Sequence, residues 1–253
     1  MLKQIGCIAL TASALLAYGN DMFEAYAINN YPQARTLAKA KDKNDPEARL
    51  ILSLTKVYDK SYPEKVAIEG LYELGAYMKD KANPAKLRRI AALSYARCAQ
   101  LMQDRQDIYG TAADKINYTE IYDSIIEEYP NSSDACIALF YKRPSLEDIS
   151  RFGQKYQGDK RDLVPLYLYA ANEAIKTDKN FKLAISYLED AYQFGISHPS
   201  VRQATLFRIG FLYDKKLNDF KSAEKYYREF ISKYPLARNT RIIKRYMKEH
   251  GVK

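Results

Sequence analysis

The stretch "FKSAEKYYREFISKYP", residues 220–235, decides how this chain is read. Ala223, Tyr227, Phe230 and Tyr234 are spaced 4, 3 and 4 residues apart, which puts them on one stripe of a helix with a 3.6-residue period. Lys221, Glu224, Lys225, Arg228 and Lys233 fall largely off that stripe, as solvated positions would. Pro235 then stops the helix, because its ring biases the residue before it away from α geometry. The stretch "NYTEIYDSIIEEYP", residues 117–130, has the same design: Tyr118, Tyr122, Ile125 and Tyr129 at the same spacing, then Pro130. Two such copies point to an internal repeat.

The rhythm recurs elsewhere. "VAIEGLYELGAYM" supplies Ala67, Leu71, Leu74 and Met78, and "LAISYLEDAYQFG" supplies Ala184, Leu188, Ala191 and Gly195. Ala34 and Ala38 open a further stripe, and Ile149, Gly153 and Tyr156 form a weaker one. Stripes starting at 34, 67, 118, 149, 184 and 223 lie 33, 51, 31, 35 and 39 residues apart. All intervals but one cluster near the roughly 34 residues of a helix-turn-helix repeat. The long one is assigned to extra helix length plus an insertion around "QDRQDIYGTAADKIN". A second helical segment precedes each stripe, at roughly 21–29, 47–58, 85–102, 134–142, 164–176 and 200–214. Polar breaks separate the segments ("DKNDP", "DKANP", "PNSSD", "KTDKN", "SHPS" and "KKLND"), rich in residues that cap helices and turn chains. One such pair cannot bury its stripe alone, so stacked neighbours must bury it jointly.

The segment "ATLFRIGFLYDKKLNDFKSAEKYYREFISKYP" resembles a tetratricopeptide repeat. Leu206, Ile209, Gly210 and Tyr213 match the first-helix pattern, and Ala223, Tyr227 and Pro235 the second-helix and closing positions. It departs in one extra residue in the turn and in Phe230, where the family prefers a small side chain. The resemblance implies an all-α, right-handed superhelical solenoid of about five to six helix pairs over residues 20–236. A C-terminal capping helix at 237–249 would close it, within a basic segment 237–253. Alternating units of this kind behind a leader resemble exported tetratricopeptide proteins of the Gram-negative envelope. In style they are nearest to the Tol–Pal coordination protein and the lipoprotein of the β-barrel assembly machine. The class implied is a periplasmic scaffold that binds protein partners.

Composition agrees with a folded helical chain. An apolar fraction of 47% and a charged fraction of 28% argue against wholesale disorder. Only 10 Gly and 9 Pro in 253 residues leave little turn material for an all-β fold. The N-terminus "MLKQIGCIALTASALLAYGND" has Lys3, an uncharged run from Ile5 to Ala17 and a small-residue site at 17–19. That layout predicts a signal peptide over residues 1–19, cleaved near Gly19. The uncharged run would make only about 20 Å of helix, too short to cross a bilayer. Cys7 has no apolar run before it, so lipidation there is not expected. Export would leave Cys98 and Cys136, which read as small buried hydrophobes rather than a disulfide.

Catalytic signals are sparse. His198 and His250 are the two histidines, and neither lies near a Ser or Cys in a recognised motif. There is no phosphate loop, no dinucleotide fingerprint, no CxxC and no calcium-loop spacing. The acidic runs "SLED" (145–148) and "YLED" (187–190) read as solvated helix faces. The expectation is a protein that is not an enzyme and needs no cofactor or metal. Binding is the positive expectation: Phe207, Arg208, Phe211 and Asp214 are expected to face the groove of the best-matched unit and hold a partner segment. Phe207 and Phe211 are equally suited to packing against the C-terminal helix. The net charge of +9 concentrates in that helix, at Arg238, Arg241, Lys244, Arg245 and Lys248. This basic tail reads first as the solvated side of a capping helix, and then as a contact for anionic lipid or cell-wall polymer. The alternative function is a cytoplasmic helical-repeat protein binding nucleic acid or another polyanion; export would argue against it.

Overall fold

A computed structural model describes residues 21–177 and 179–252. The leader-like segment 1–19 lies outside the described residues. Among the described residues all regular structure is helical, with no strand, in elements that pack mainly on their chain neighbours. We number them α1 (Asp21–Ala27), α2 (Tyr31–Lys39), α3 (Pro46–Tyr58), α4 (Glu64–Lys79), α5 (Ala85–Gln103), α6 (Gln106–Tyr109), α7 (Tyr118–Glu128) and α8 (Ser133–Tyr141). There follow α9 (Leu146–Lys155), a 3₁₀ turn (Lys160–Leu163), α10 (Val164–Lys176), α11 (Phe181–Phe194), α12 (Pro199–Leu217), α13 (Phe220–Lys233) and α14 (Arg238–Glu249). No helix among the described residues is long and apolar enough to cross a membrane.

The polar breaks start the helices. Asp45 accepts from the Glu47 and Ala48 N–H groups at 2.8 and 3.0 Å, and Asn180 and Asp219 cap α11 and α13 in the same way. Ser145 and Asp148 form a reciprocal capping box on α9. Both Tyr-Pro ends adopt one backbone conformation. Tyr129 has φ −133°, ψ 51° and Tyr234 has φ −133°, ψ 58°, outside the α region that a following proline disfavours.

The chain divides into two compact units between Arg143 and Pro144. In the first, the stripes of α2, α3 and α4 converge with α1 and α5 on a core of Phe23, Tyr26, Ala34, Leu50, Ile51 and Leu74. Tyr122 and Ile125 of α7 pack with Ile137 and Tyr141 of α8 against Leu93 and Ala96 of α5. The long interval is filled as its length requires. After the 19-residue α5, a loop containing α6 buries Ala113, and Gln103 donates to the Ala113 and Ile116 carbonyls at 2.7 and 2.9 Å. In the second unit, α10 packs on α11 and α12 on α13, and Ile243 and Met247 of α14 join Leu206, Tyr227 and Phe230. One pairing differs from the sequence reading. The segments at 134–142 and 149–156 were expected to form one helix pair, but α8 packs on α7 in the first unit and α9 on α10 in the second.

Tyrosine rings set the spacing of the helices. A Cβ on Gly210 of α12 would sit 2.7 Å from the Tyr227 ring of α13, and one on Gly153 of α9 would sit 3.1 Å from Cζ of Tyr167 on α10. The hydroxyls find polar partners: Tyr227 donates to Asp214 (3.1 Å), Tyr77 to the Pro46 carbonyl (2.8 Å), and Tyr213 and Tyr226 both to Glu189.

Two outcomes follow from this packing. Alanine in mid-helix ordinarily gains up to about 1 kcal/mol over glycine, but overpacking costs about 1–3 kcal/mol. Gly210→Ala should therefore destabilise the second unit, seen as a lower urea midpoint. Burial, and then Glu189, push the Tyr213 hydroxyl up to about 12, and burial raises Tyr26, Tyr58 and Tyr227 as well. A folded-state pKa raised above the ordinary value of about 10 contributes stability that is full below pH 10. That contribution is lost as pH climbs from about 10 towards 12. With 23 Tyr and no Trp, tyrosinate absorbance in an alkaline titration should show exposed rings ionising first and the buried set ionising together with loss of helix.

Candidate functional site

The residues expected to line a groove on α12 are largely engaged within the second unit. Asp214 is buried, with 4% of its surface exposed. Its carboxylate accepts from the Tyr227 hydroxyl and Lys215 Nζ, both at 3.1 Å, and lies 3.4 Å from His250 Nε2 just beyond α14. Phe207 packs edge-on to Phe230 at 5.9 Å, in the cluster that holds Ile243 and Met247. Arg208 donates to Asn172 Oδ1 on α10 at 2.6 Å, and burial pulls its guanidinium below the ordinary value. Phe211 is half-buried, 6.1 Å from Phe207. So Asp214 serves the interior, and Phe211 is the groove candidate with the fewest internal ties.

The histidines and cysteines are accounted for individually. His198 is exposed, with Ser200 Oγ 2.9 Å from its Nδ1, and no carboxylate orients its ring among the described residues. The His250 ring stacks on Phe220 at 3.9 Å. Cys98 and Cys136 are both buried, and burial pushes the Cys98 thiol up to about 12, which removes its nucleophilic thiolate at neutral pH. No group of three or more His, Cys, Asp or Glu positioned for a metal occurs among the described residues.

A cleft in the first unit went unread in the sequence. It measures about 470 Å³ and is built from three consecutive helices and one loop. α2 contributes Arg35 and Lys39, α3 contributes Arg49, Leu52, Ser53 and Lys56, and α4 contributes Glu73, Ala76 and Tyr77, with Tyr62 from the α3–α4 loop. Its volume lies within the range of small-ligand clefts. Two of its cations are anchored. Arg35 pairs with Asp59 and lies over the Tyr62 ring at 4.8 Å, and Lys56 pairs with Glu73, which also accepts from Ser53 Oγ at 3.0 Å. Two are more available. Arg49 is exposed, stacks on Tyr77 at 5.6 Å and reaches the half-buried Asp80 only at 3.9 Å, a pair of small worth in water. Lys39 is exposed and has no ion-pair partner among the described residues. With Arg35 and Lys56 each paired to a carboxylate, Lys39 and Arg49 supply the excess positive charge that would attract an acidic group.

The tail residues are placed where the amphipathic pattern puts them. Thr240, Ile243 and Met247 of α14 are buried, while Arg238, Arg241, Lys244, Arg245 and Lys248 are exposed. Comparison with family models, with curated proteins and with solved structures finds no match among them.

The Arg35–Asp59 pair at the cleft can be tested by pH. Burial works to raise the Asp59 carboxyl, but hydrogen bonds from Arg35 and Ser61 outweigh it and hold the group below its ordinary value. A depressed carboxyl contributes stability above its unfolded pKa of about 4, and loses it as pH falls through the folded value. Arg35→Ala should raise the Asp59 pKa in an NMR titration. The variant should be less stable than the parent at neutral pH, with the gap narrowing in acid.

Proposed function

We propose that this chain is a non-catalytic adaptor that holds an acidic segment of a protein partner in the cleft of its first unit. The observation that carries the reading is the lining itself: the exposed Lys39 and Arg49 stand beside the apolar Leu52 and Ala76, with Tyr62 and Tyr77. An extended segment could lay an apolar side chain against Leu52 and Ala76 and present carboxylates to the two cations. The helix pairs are read as tetratricopeptide-like, with the right-handed solenoid that the repeat implies. The leader-like residues 1–19 support export, so the reading is of a scaffold in the bacterial envelope, bound to a protein rather than to nucleic acid.

A photoreactive residue at Ala76 tests this in cells. The expected result is one discrete adduct with an envelope protein, mapping to an acidic stretch. A peptide of that stretch should bind the purified chain and lose about ten- to a hundred-fold in affinity to Lys39→Glu/Arg49→Glu, since like charges now face each other. Adducts that survive the charge reversal, or that form from Phe211 and not from Ala76, would move the binding surface away from the cleft.

A further inference from the structure

We propose that the outward side of α14 docks on an anionic phospholipid surface. Arg238, Arg241, Arg245 and Lys248 are spaced 3, 4 and 3 residues apart and so share one helical stripe, with Lys244 beside it. At 1.5 Å per residue the row runs about 15 Å. Arg238, Arg241, Lys244 and Lys248 have no ion-pair partner among the described residues. Arg245 reaches Glu249 only at 4.0 Å, with both side chains exposed. The row is held in place from beneath. Thr240 Oγ1 donates to the Tyr234 carbonyl at 2.6 Å, Ile243 and Met247 are buried, and His250 is pinned by Phe220 and Asp214.

That anchoring determines how the row can bind. A free amphipathic helix with a basic polar face sinks its apolar side into the headgroup region. In α14 the apolar side is committed to the core against Leu206, Tyr227 and Phe230, so charge alone remains. Attachment is then peripheral, indifferent to headgroup chemistry beyond its negative charge, and screened by salt. The same geometry disfavours single-stranded nucleic acid. A single strand needs exposed rings for its bases, and Tyr246, the aromatic of α14, is taken up by Lys215 Nζ at 4.0 Å and by the Tyr227 ring at 6.3 Å. The row lies on the second unit and the cleft on the first, so either proposal can fail without the other.

Sedimentation of the chain with vesicles is the test. It should bind phosphatidylcholine vesicles containing about one third phosphatidylglycerol, and not phosphatidylcholine alone. Each basic residue is worth about five-fold at low salt, so Lys248→Gln should weaken binding about five-fold and Arg241→Gln/Arg245→Gln/Lys248→Gln about a hundred-fold. The charge-keeping variant Arg241→Lys/Arg245→Lys/Lys248→Arg should bind as the parent does. Raising salt from about 50 mM to about 500 mM should release the chain. Binding that survives in the glutamine variants, or is equal on neutral vesicles, would overturn the proposal. So would tighter binding to an oligonucleotide than to the anionic vesicles in the same buffer.

Discussion

A tyrosine ring set against a glycine, with its hydroxyl bonded to a group on the facing helix, is the interaction on which the second unit depends. The Tyr227 ring occupies the space that a side chain on Gly210 would need, so α12 and α13 approach closely, and its hydroxyl reaches the buried Asp214. A buried phenol must find a partner, because an unpaired hydroxyl costs about 1–3 kcal/mol. The partner here carries a charge, and a lone buried carboxylate would be costlier still. Lys215 and His250 complete its surroundings, and His250 is the residue that ends α14. The terminal helix is thus fixed by the same carboxylate that satisfies the tyrosine. Tyr167 against Gly153 repeats the steric half of this device between α9 and α10.

Much of this was legible in the sequence, for a reason particular residues make plain. Ala223, Tyr227 and Phe230, and Tyr122 and Ile125, are buried because a helix with one wet side must place every third or fourth residue inward. Helix ends were readable at Asp45, Asn180, Asp219 and the two Tyr-Pro sites, since caps and prolines act over a few residues. Partnership was not readable in this way. α8 and α9 follow one another like any other pair, yet they belong to different units. Nothing local in "KRP" at 142–144 distinguishes that connection from the turn inside a repeat, although Arg143 takes a left-handed conformation at φ 54°.

The sites show the same boundary between local and assembled information. Asp214 sits at a helical position that reads as open to a groove, and aspartate is seldom fully buried without partners. Beside its neighbour Lys215, its partners Tyr227 and His250 come from α13 and from just beyond α14, so only the fold reveals why it can be buried. Arg35, Arg49 and Lys56 read singly as solvated charges. They become a cleft when α2, α3 and α4 bring them together with Tyr62 and Tyr77.

The two basic surfaces use charge in opposite ways. In the cleft, Arg35 and Lys56 are held by carboxylates and Arg35 also by a tyrosine face, which fixes their direction while cancelling much of their field. Such groups discriminate by position, and the more open Lys39 and Arg49 beside them supply the net attraction. Along α14 the order is reversed. The backbone of the helix is fixed, but four of the five cations are unpaired and exposed, so their field is uncancelled. Long flexible cations pay little entropy when the surface they meet is itself diffuse and fluid, and much when they must fit one rigid partner. A pre-paired cleft therefore suits a defined segment, and an unpaired row suits a surface with no fixed pattern of its own.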